Sequence, residues 1–247
     1  MSGYSRGFFG MPPVVKNIIY INIIMLLALF AARSVFQVDL DRILGVYFFK
    51  SDKFEPYQLI THMFMHGNIL HLFFNMFAFY MFGQILEQVW GPKRFLIYYL
   101  VTGLGAIIIH ESVLAIQYYK VMSSITPDLL QDVLDNGLRY TLENKAYIDP
   151  AAGQLQSILY TPTVGASGAV FGILLAFGVL FPNTELVLIF PPIPIKAKYF
   201  VAGYAAIELY FAVTQPGDSI AHAAHIGGMI FGYLLIRYWR KTSNTLY

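Results

Sequence analysis

No cysteine occurs in the 247 residues. Disulfides, thiol nucleophiles and cysteine-ligated metals are therefore excluded, while the redox compartment is left open. Charge is scarce as well. Asp, Glu, Lys and Arg make up 12% of the chain, and 16 basic against 14 acidic residues leave a net charge of only +2. So small a balance gives no footing for nucleic acid as a partner. Internal repeats and low-complexity tracts are missing, and the first 40 residues lack the pattern of a cleavable signal peptide.

What the chain has instead is apolar surface. It is 57% hydrophobic with a mean hydropathy of +0.58, so much of it is expected to face hydrocarbon. Six stretches approach the ~20 apolar residues that a spanning helix needs. They are Val14–Ala32, Ile69–Trp90, Phe95–Ala115, Ala166–Phe181, Tyr199–Val213 and Ala221–Trp239. The fourth and fifth are short, and are expected to gain length from flanking residues or to cross where the bilayer is thin. The short turns on one side are basic, with Lys93, Arg94, Lys196 and Lys198. Arg6, Lys16, Arg237, Arg240 and Lys241 lie on that same side. Asp128, Asp132, Asp135, Glu143 and Asp149 fall in the long segment on the other side. Basic inner turns put both termini in the cytoplasm. The expected fold is an all-α polytopic bundle of six helices, one domain over 1–247, with an external insertion at about 116–163. Within the insertion, "PDLLQDVLDNGLRYTLENKAY" predicts one or two amphipathic surface helices, with Leu129, Leu130, Val133, Leu134 and Leu138 on the apolar side.

The polar residues of the spans share one depth. Spans two, four and six all run inward, opening with "THMFMHGNILHLFFNM", "VGASGAVFG" and "IAHAAHIGGMIFG". At 1.5 Å per residue Asn75 lies roughly 10 Å into its helix, with His71, Ser167 and His225 shallower. Polar groups inside spans are costly and face a partner or a water-filled cavity. Ser167 taken alone reads more readily as a packing residue. Gly168 with Gly172, and Gly228 with Gly232, form G-x-x-x-G faces that let helix backbones approach closely. The same approach brings Ser167 within reach of His225, a serine hydroxyl beside a candidate base. His222, one turn earlier, is expected to sit shallower and line the entrance.

An acyl-transfer site also needs donors aimed at an oxyanion. The Asn75 amide, a His71 ring nitrogen, and the backbone at Gly165 and Ser167 are the candidates, since His71 and Asn75 project from one helical face. No acidic third member is evident. Glu208 is the only carboxylate well within a predicted span, but it lies on span five and nothing ties it to His225. Packing is expected to orient the imidazole instead, against Phe171. The spacing His62-x-x-x-His66 suits two metal ligands on one helical face, but Met63 stands where H-E-x-x-H requires glutamate. No metal and no organic cofactor is expected. His62 and His66 are expected to hold the loop into span two. A pocket of His66, His71, Asn75, His222 and His225 is expected to open outward and supply water.

Several of these motifs agree, in order, with one family. "HGNILHLFFNM", "GASGAVFG", "AHAAHIGG" and "FGQILEQVWG" resemble the signatures of the rhomboid intramembrane serine proteases, over about 56–239 outside the insertion. The resemblance implies Ser167 as nucleophile, His225 as general base, His71 and Asn75 as oxyanion stabilisers, and Glu87 as a structural residue near the cytoplasmic end. It further implies a six-helix bundle that cleaves other membrane proteins, acting on spans that unwind easily. Substrates are expected to arrive laterally between spans two and five. The sequence departs from the pattern in three places: segment 33–56 has no tryptophan, the connection Tyr118–Thr163 is long, and Phe171 replaces a tyrosine of some relatives. A rival reading is a catalytically silent relative that binds membrane clients. A transporter using the histidines and Glu208 is disfavoured by the lack of inverted repeats. The six-span plan and the lack of a targeting segment point to a bacterial inner membrane.

Overall fold

The computed structural model describes residues 10–187, 192–214 and 222–242. Ten α-helices and one small hairpin make up the described chain. In order they are α1 (Pro13–Ala31), α2 (Leu40–Leu44), α3 (Gln58–Thr61), α4 (Ile69–Trp90), α5 (Pro92–Met122), α6 (Pro127–Leu142), α7 (Pro150–Tyr160), α8 (Ser167–Leu180), β1 (Glu185–Val187), β2 (Pro194–Lys196), α9 (Ala197–Thr214) and α10 (His222–Thr242). The six expected spans correspond to α1, α4, α5, α8, α9 and α10, and the protein is a helical membrane bundle. Among the described residues, three helices are long and apolar enough to cross a bilayer on those grounds alone: α1 with its π-helical extension to Phe36, α4 and α5. Ala221, the expected start of span six, and Arg6 lie outside the described residues.

α8 sits at the centre because its sequence allows it. Ten of its fourteen residues are buried, and α4, α5, α9 and α10 all pack against it. A helix apolar on every side is stable only when surrounded by helices or lipid. α9 is the opposite case. Only Ala197, Val201 and Glu208 are buried along its length, and it packs on α8 and α10. At the far end of the bundle Glu87 closes a gap. Its two carboxylate oxygens accept the backbone N–H groups of Val14 and Val15 at 2.9 and 2.8 Å, capping the first turn of α1, whose N–H groups have no intrahelical acceptor.

Several features differ from expectation. α5 runs to Met122 instead of ending near Ala115, because its last turns find a second core and nothing breaks the helix before Ser123. The insertion therefore begins later than 116. That second core joins Phe48 and Val121 to Val133 of α6 and to Ala152, Leu155, Ile158, Leu159 and Tyr160 of α7. Each insertion helix starts at a capped proline. Thr126 precedes Pro127, and Asp149, which accepts from Ala152 N–H at 2.9 Å, precedes Pro150. α7 lies beyond the stretch that predicted the insertion helices. Leu134 is a correction: it is 49% exposed, because the buried seam of α6 follows Val133 and Gly137. Lastly, β1 and β2 pair antiparallel between α8 and α9, where only irregular chain was expected.

The segment between α1 and α4 is ordered by a few polar hubs. Buried Gln58 accepts from Tyr47 and Glu55 N–H and donates to the carbonyls of Ile43 and Lys53. Val46 and Thr163 exchange backbone hydrogen bonds of 2.9 and 2.8 Å, tying this segment to the chain that leads into α8. The approach to Ser167 is thereby fixed from outside.

Candidate active site

Ser167 is the first residue of α8. Gly165 makes its position possible. With φ at 131° it occupies backbone space that side chains rarely adopt, and its N–H donates to the His62 carbonyl at 2.9 Å. The first i→i−4 bond of α8 is Val170 N–H to Ala166 O. The N–H groups of Ser167, Gly168 and Ala169 therefore precede the helical ladder and form its positive end. Fourteen residues make a helix of ~21 Å, against a hydrocarbon core of ~30 Å. A helix of that length is about 9 Å less than the hydrocarbon thickness, so it cannot span it from end to end.

The hydroxyl of Ser167 meets His225. Ser167 Oγ lies 2.8 Å from His225 Nε2, and the imidazole stacks on Phe171 with centroids 4.1 Å apart and planes 11° apart. Glycines set that distance. A Cβ on Gly228 would run into the Gly168 carbonyl, and one on Gly172 would come within 3.0 Å of the Gly228 carbonyl. Gly168 and Gly172 also receive Ala106 and Thr102 of α5, while Gly232 receives the Tyr98 hydroxyl and Thr102. The small faces thus clamp α5, α8 and α10 together, and the α8–α10 contact carries the serine to the imidazole.

His71 and Asn75 occupy the first two turns of α4. The Asn68 side chain caps that helix by accepting from His71 N–H at 2.8 Å. A Cβ on Gly165 would lie 3.0 Å from His71 Cε1 and Nε2 and 3.7 Å from Ser167 Oγ, so both side chains face the bare Gly165 Cα. Asn75, one turn further on the same helix, is buried. A hydroxyl, an imidazole and a helix N-terminus converge beside a glycine whose missing side chain lets them approach.

The outward-opening pocket takes a different form. The cavity at the serine holds about 20 Å³ and is lined by His62, Met63, Thr163, Gly165, Ser167 and Ala224 among others, but by none of His66, His71, Asn75, Phe171, His222 and His225. That is room for about one water. His66 is fully buried edge-on to His71, centroids 4.9 Å apart, and burial, with His71 nearby, pushes it down to about 3. Burial likewise holds His62 at about 4, with Nδ1 2.8 Å from the Gln58 carbonyl oxygen. His62 is tied to the loop by that hydrogen bond, whereas both ring nitrogens of His66 are buried without a hydrogen-bond partner among the described residues. His222 is buried too, because it turns inward to a carboxylate instead of lining an entrance.

That carboxylate is Glu208, the group the sequence leaves without a role. Its Oε2 lies 2.8 Å from His225 Nδ1 and 2.6 Å from His222 Nδ1. Packing by Phe171 is thus not the sole constraint on the base. The only sequence signal was the rarity of a carboxylate within a span. Its partners, 14 and 17 residues away on the next helix, had no motif to announce them.

Fold and site together define a helical membrane protein with a serine hydroxyl and an imidazole in contact at the N-terminus of a buried helix. The family model described as Rhomboid domain matches residues 53–242, and the chain belongs to the rhomboid family. It is 28% identical to Rhomboid protease AarA of Providencia stuartii over 180 residues, 70% of this chain and 52% of that protein. It is 29% identical to RHOMBOID-like protein 12, mitochondrial, of Arabidopsis thaliana over 196 residues, 78% of this chain and 47% of that one. Rhomboid protein 1, mitochondrial, of Saccharomyces cerevisiae is 26% identical over 177 residues, 71% of this chain and 40% of that one. The chain spans about half the length of the curated relatives it matches. The family includes intramembrane serine proteases. These relatives come from a bacterium and from mitochondria alike, so the bacterial inner membrane expected from the sequence finds no support in them.

Proposed function

We propose that this protein is a serine endopeptidase that hydrolyses peptide bonds in or near the transmembrane segments of other membrane proteins. The observation that carries the reading is the 2.8 Å contact between Ser167 Oγ and His225 Nε2 at the N-terminus of α8. In the proposed reaction Ser167 Oγ attacks the scissile carbonyl carbon while its proton passes to His225 Nε2. Negative charge grows on the carbonyl oxygen, where His71, Asn75 and the leading N–H groups of α8 are the candidate donors. As the C–N bond breaks, the imidazolium gives its proton to the leaving amine. Water, deprotonated by the same imidazole, then hydrolyses the acyl ester, releases a carboxylic acid and restores the serine. The route needs no metal or organic cofactor.

Lateral access fits the packing. α9 rests on α8 and α10, and α4 on α1, α5 and α8, so among the described residues the flank between α4 and α9 has no extensive helix–helix contact. Phe73, Phe74 and Phe77 of α4 and Tyr204, Ile207 and Tyr210 of α9 are exposed apolar and aromatic groups suited to lipid or a substrate helix. A peptide bond in a helix is sheathed by its own side chains and hydrogen bonds, so spans weakened by Gly, Pro or polar residues are the favoured substrates.

The test is cleavage of a labelled single-span substrate by purified protein in detergent. Wild type should cleave it, while Ser167→Ala and His225→Ala should lose at least ~10³-fold in turnover. Equal cleavage by all three would sink the reading. Inert wild type that still retains the substrate would favour a client-binding relative.

A further inference from the structure

The structure assigns Glu208 of α9 as the positioning residue for His225, making the site a three-residue system that also engages His222. The inference rests on the proposed serine-protease reading. Glu208 is 7% exposed, and a carboxylate that deep is tolerated only with hydrogen-bond donors around it. Two imidazole nitrogens supply them, His225 Nδ1 at 2.8 Å and His222 Nδ1 at 2.6 Å, both on Oε2. An ionised carboxylate only accepts. Each Nδ1 must therefore carry the proton, and in neutral His225 this leaves Nε2 as the bare acceptor. Nε2 is the atom 2.8 Å from the Ser167 hydroxyl. The carboxylate thus selects the tautomer a general base requires, and its charge compensates the imidazolium that forms when the serine proton arrives.

The neighbouring groups hold this line in place. Phe171 of α8 stacks on the His225 ring from the side, and Phe211 of α9 stacks on His222 with centroids 5.3 Å apart. The nitrogen and oxygen atoms of Glu208, His222 and His225 lie within 4.8 Å of one another, a spacing a divalent cation also accepts. The contacts of 2.6 and 2.8 Å are nonetheless hydrogen-bond lengths. Ligands ~2.0–2.1 Å from a tetrahedral ion stand about 3.3 Å apart. Because Glu208 sits on α9, the bundle helix with the fewest buried residues, the base is oriented only while α9 is docked.

The experiment compares wild type, Glu208→Gln, Glu208→Asp and Ser167→Ala in detergent. The readouts are kcat and KM on the single-span substrate, the rate of fluorophosphonate labelling, the thermal midpoint, and zinc content by elemental analysis. For Glu208→Gln, kcat and the labelling rate should fall together by about 10²–10⁴-fold, with KM within about threefold and the midpoint near wild type. Glu208→Asp, which keeps the charge on a shorter arm, should recover part of the loss. Ser167→Ala cleaving like wild type would overturn the protease reading itself. An inert Ser167→Ala beside a Glu208→Gln with wild-type kcat would overturn only the assignment of Glu208. A midpoint that collapses equally in both Glu208 variants would make the residue a structural tie and overturn it, as would stoichiometric zinc in wild type that is lost in Glu208→Gln.

Discussion

Gly165 shows how much of the site depends on what one residue leaves out. At φ 131°, with His71 atoms 3.0 Å from where a Cβ would sit, Gly165→Ala strains the backbone by about 1–3 kcal/mol and pushes on the ring beside the serine. Turnover should fall roughly 10²-fold, the scale of a 1 Å misplacement, with the protein still folded. Steady-state kinetics with a thermal melt check this, and wild-type kcat would contradict it. At this scale the sequence is legible where the partners share one helix. His71 and Asn75 are four residues apart on α4, and both lie in its first two turns. Ser167 and His225 were readable because each lies near the start of a helix bearing small residues, so position along the helix and packing pointed the same way. Glu208 was not. Which way it turns depends on the rotation of α9 against α10, and no local spacing encodes that. Exposure was misjudged for His222 and His66, expected to line an open entrance or pocket but buried, since a histidine near a helix end turns toward solvent or toward the interior with equal ease.

Between helices, the glycine contacts should be the least tolerant positions. Gly228→Ala drives a methyl group into the Gly168 carbonyl, a backbone atom that moves only if α8 and α10 separate. Overpacking of this kind costs about 1–3 kcal/mol, and separation also parts Ser167 from His225. Both midpoint and turnover should drop; loss of neither would mean that the helices do not meet there. Glu87 makes a contrasting case. Glu87→Gln weakens the cap on the N–H groups of Val14 and Val15 at the end of the bundle remote from the serine, costing about 1–3 kcal/mol of stability. Its signature is a lower midpoint with kcat retained by the folded fraction. The element order was legible because apolar runs of this length leave few alternatives. The ends were less so. α5 overruns its apolar run to reach the second core, and β1–β2 is held by backbone pairing that few residues specify.

For the whole molecule, the buried loop histidines tie stability to pH. Burial lowers His62 from 6.5 to about 4 and His66 to about 3, so each ring takes up its proton more readily once unfolded. Their contribution is complete above about pH 6.5 and is lost as pH falls toward those values, by up to about 3 kcal/mol for His62. The midpoint in detergent should fall from pH 7 to pH 5, and His62→Gln should flatten part of that slope. A midpoint that rises on acidification would contradict it. The insertion adds a second core beyond the bundle, joined to the α8 approach by the Val46–Thr163 pairing. Its first helix, α6, was foreseeable from amphipathic spacing, but α7 and the docking on Phe48 were not, because Phe48 is distant in sequence and no local pattern ties it to the insertion. The central claim concerns a hydroxyl activated inside this bundle. Its most direct measurement is fluorophosphonate labelling of the purified protein, with the adduct located by peptide mass spectrometry. The account predicts one adduct, on Ser167, that disappears in His225→Ala; no adduct, or one that forms as fast without His225, would contradict it.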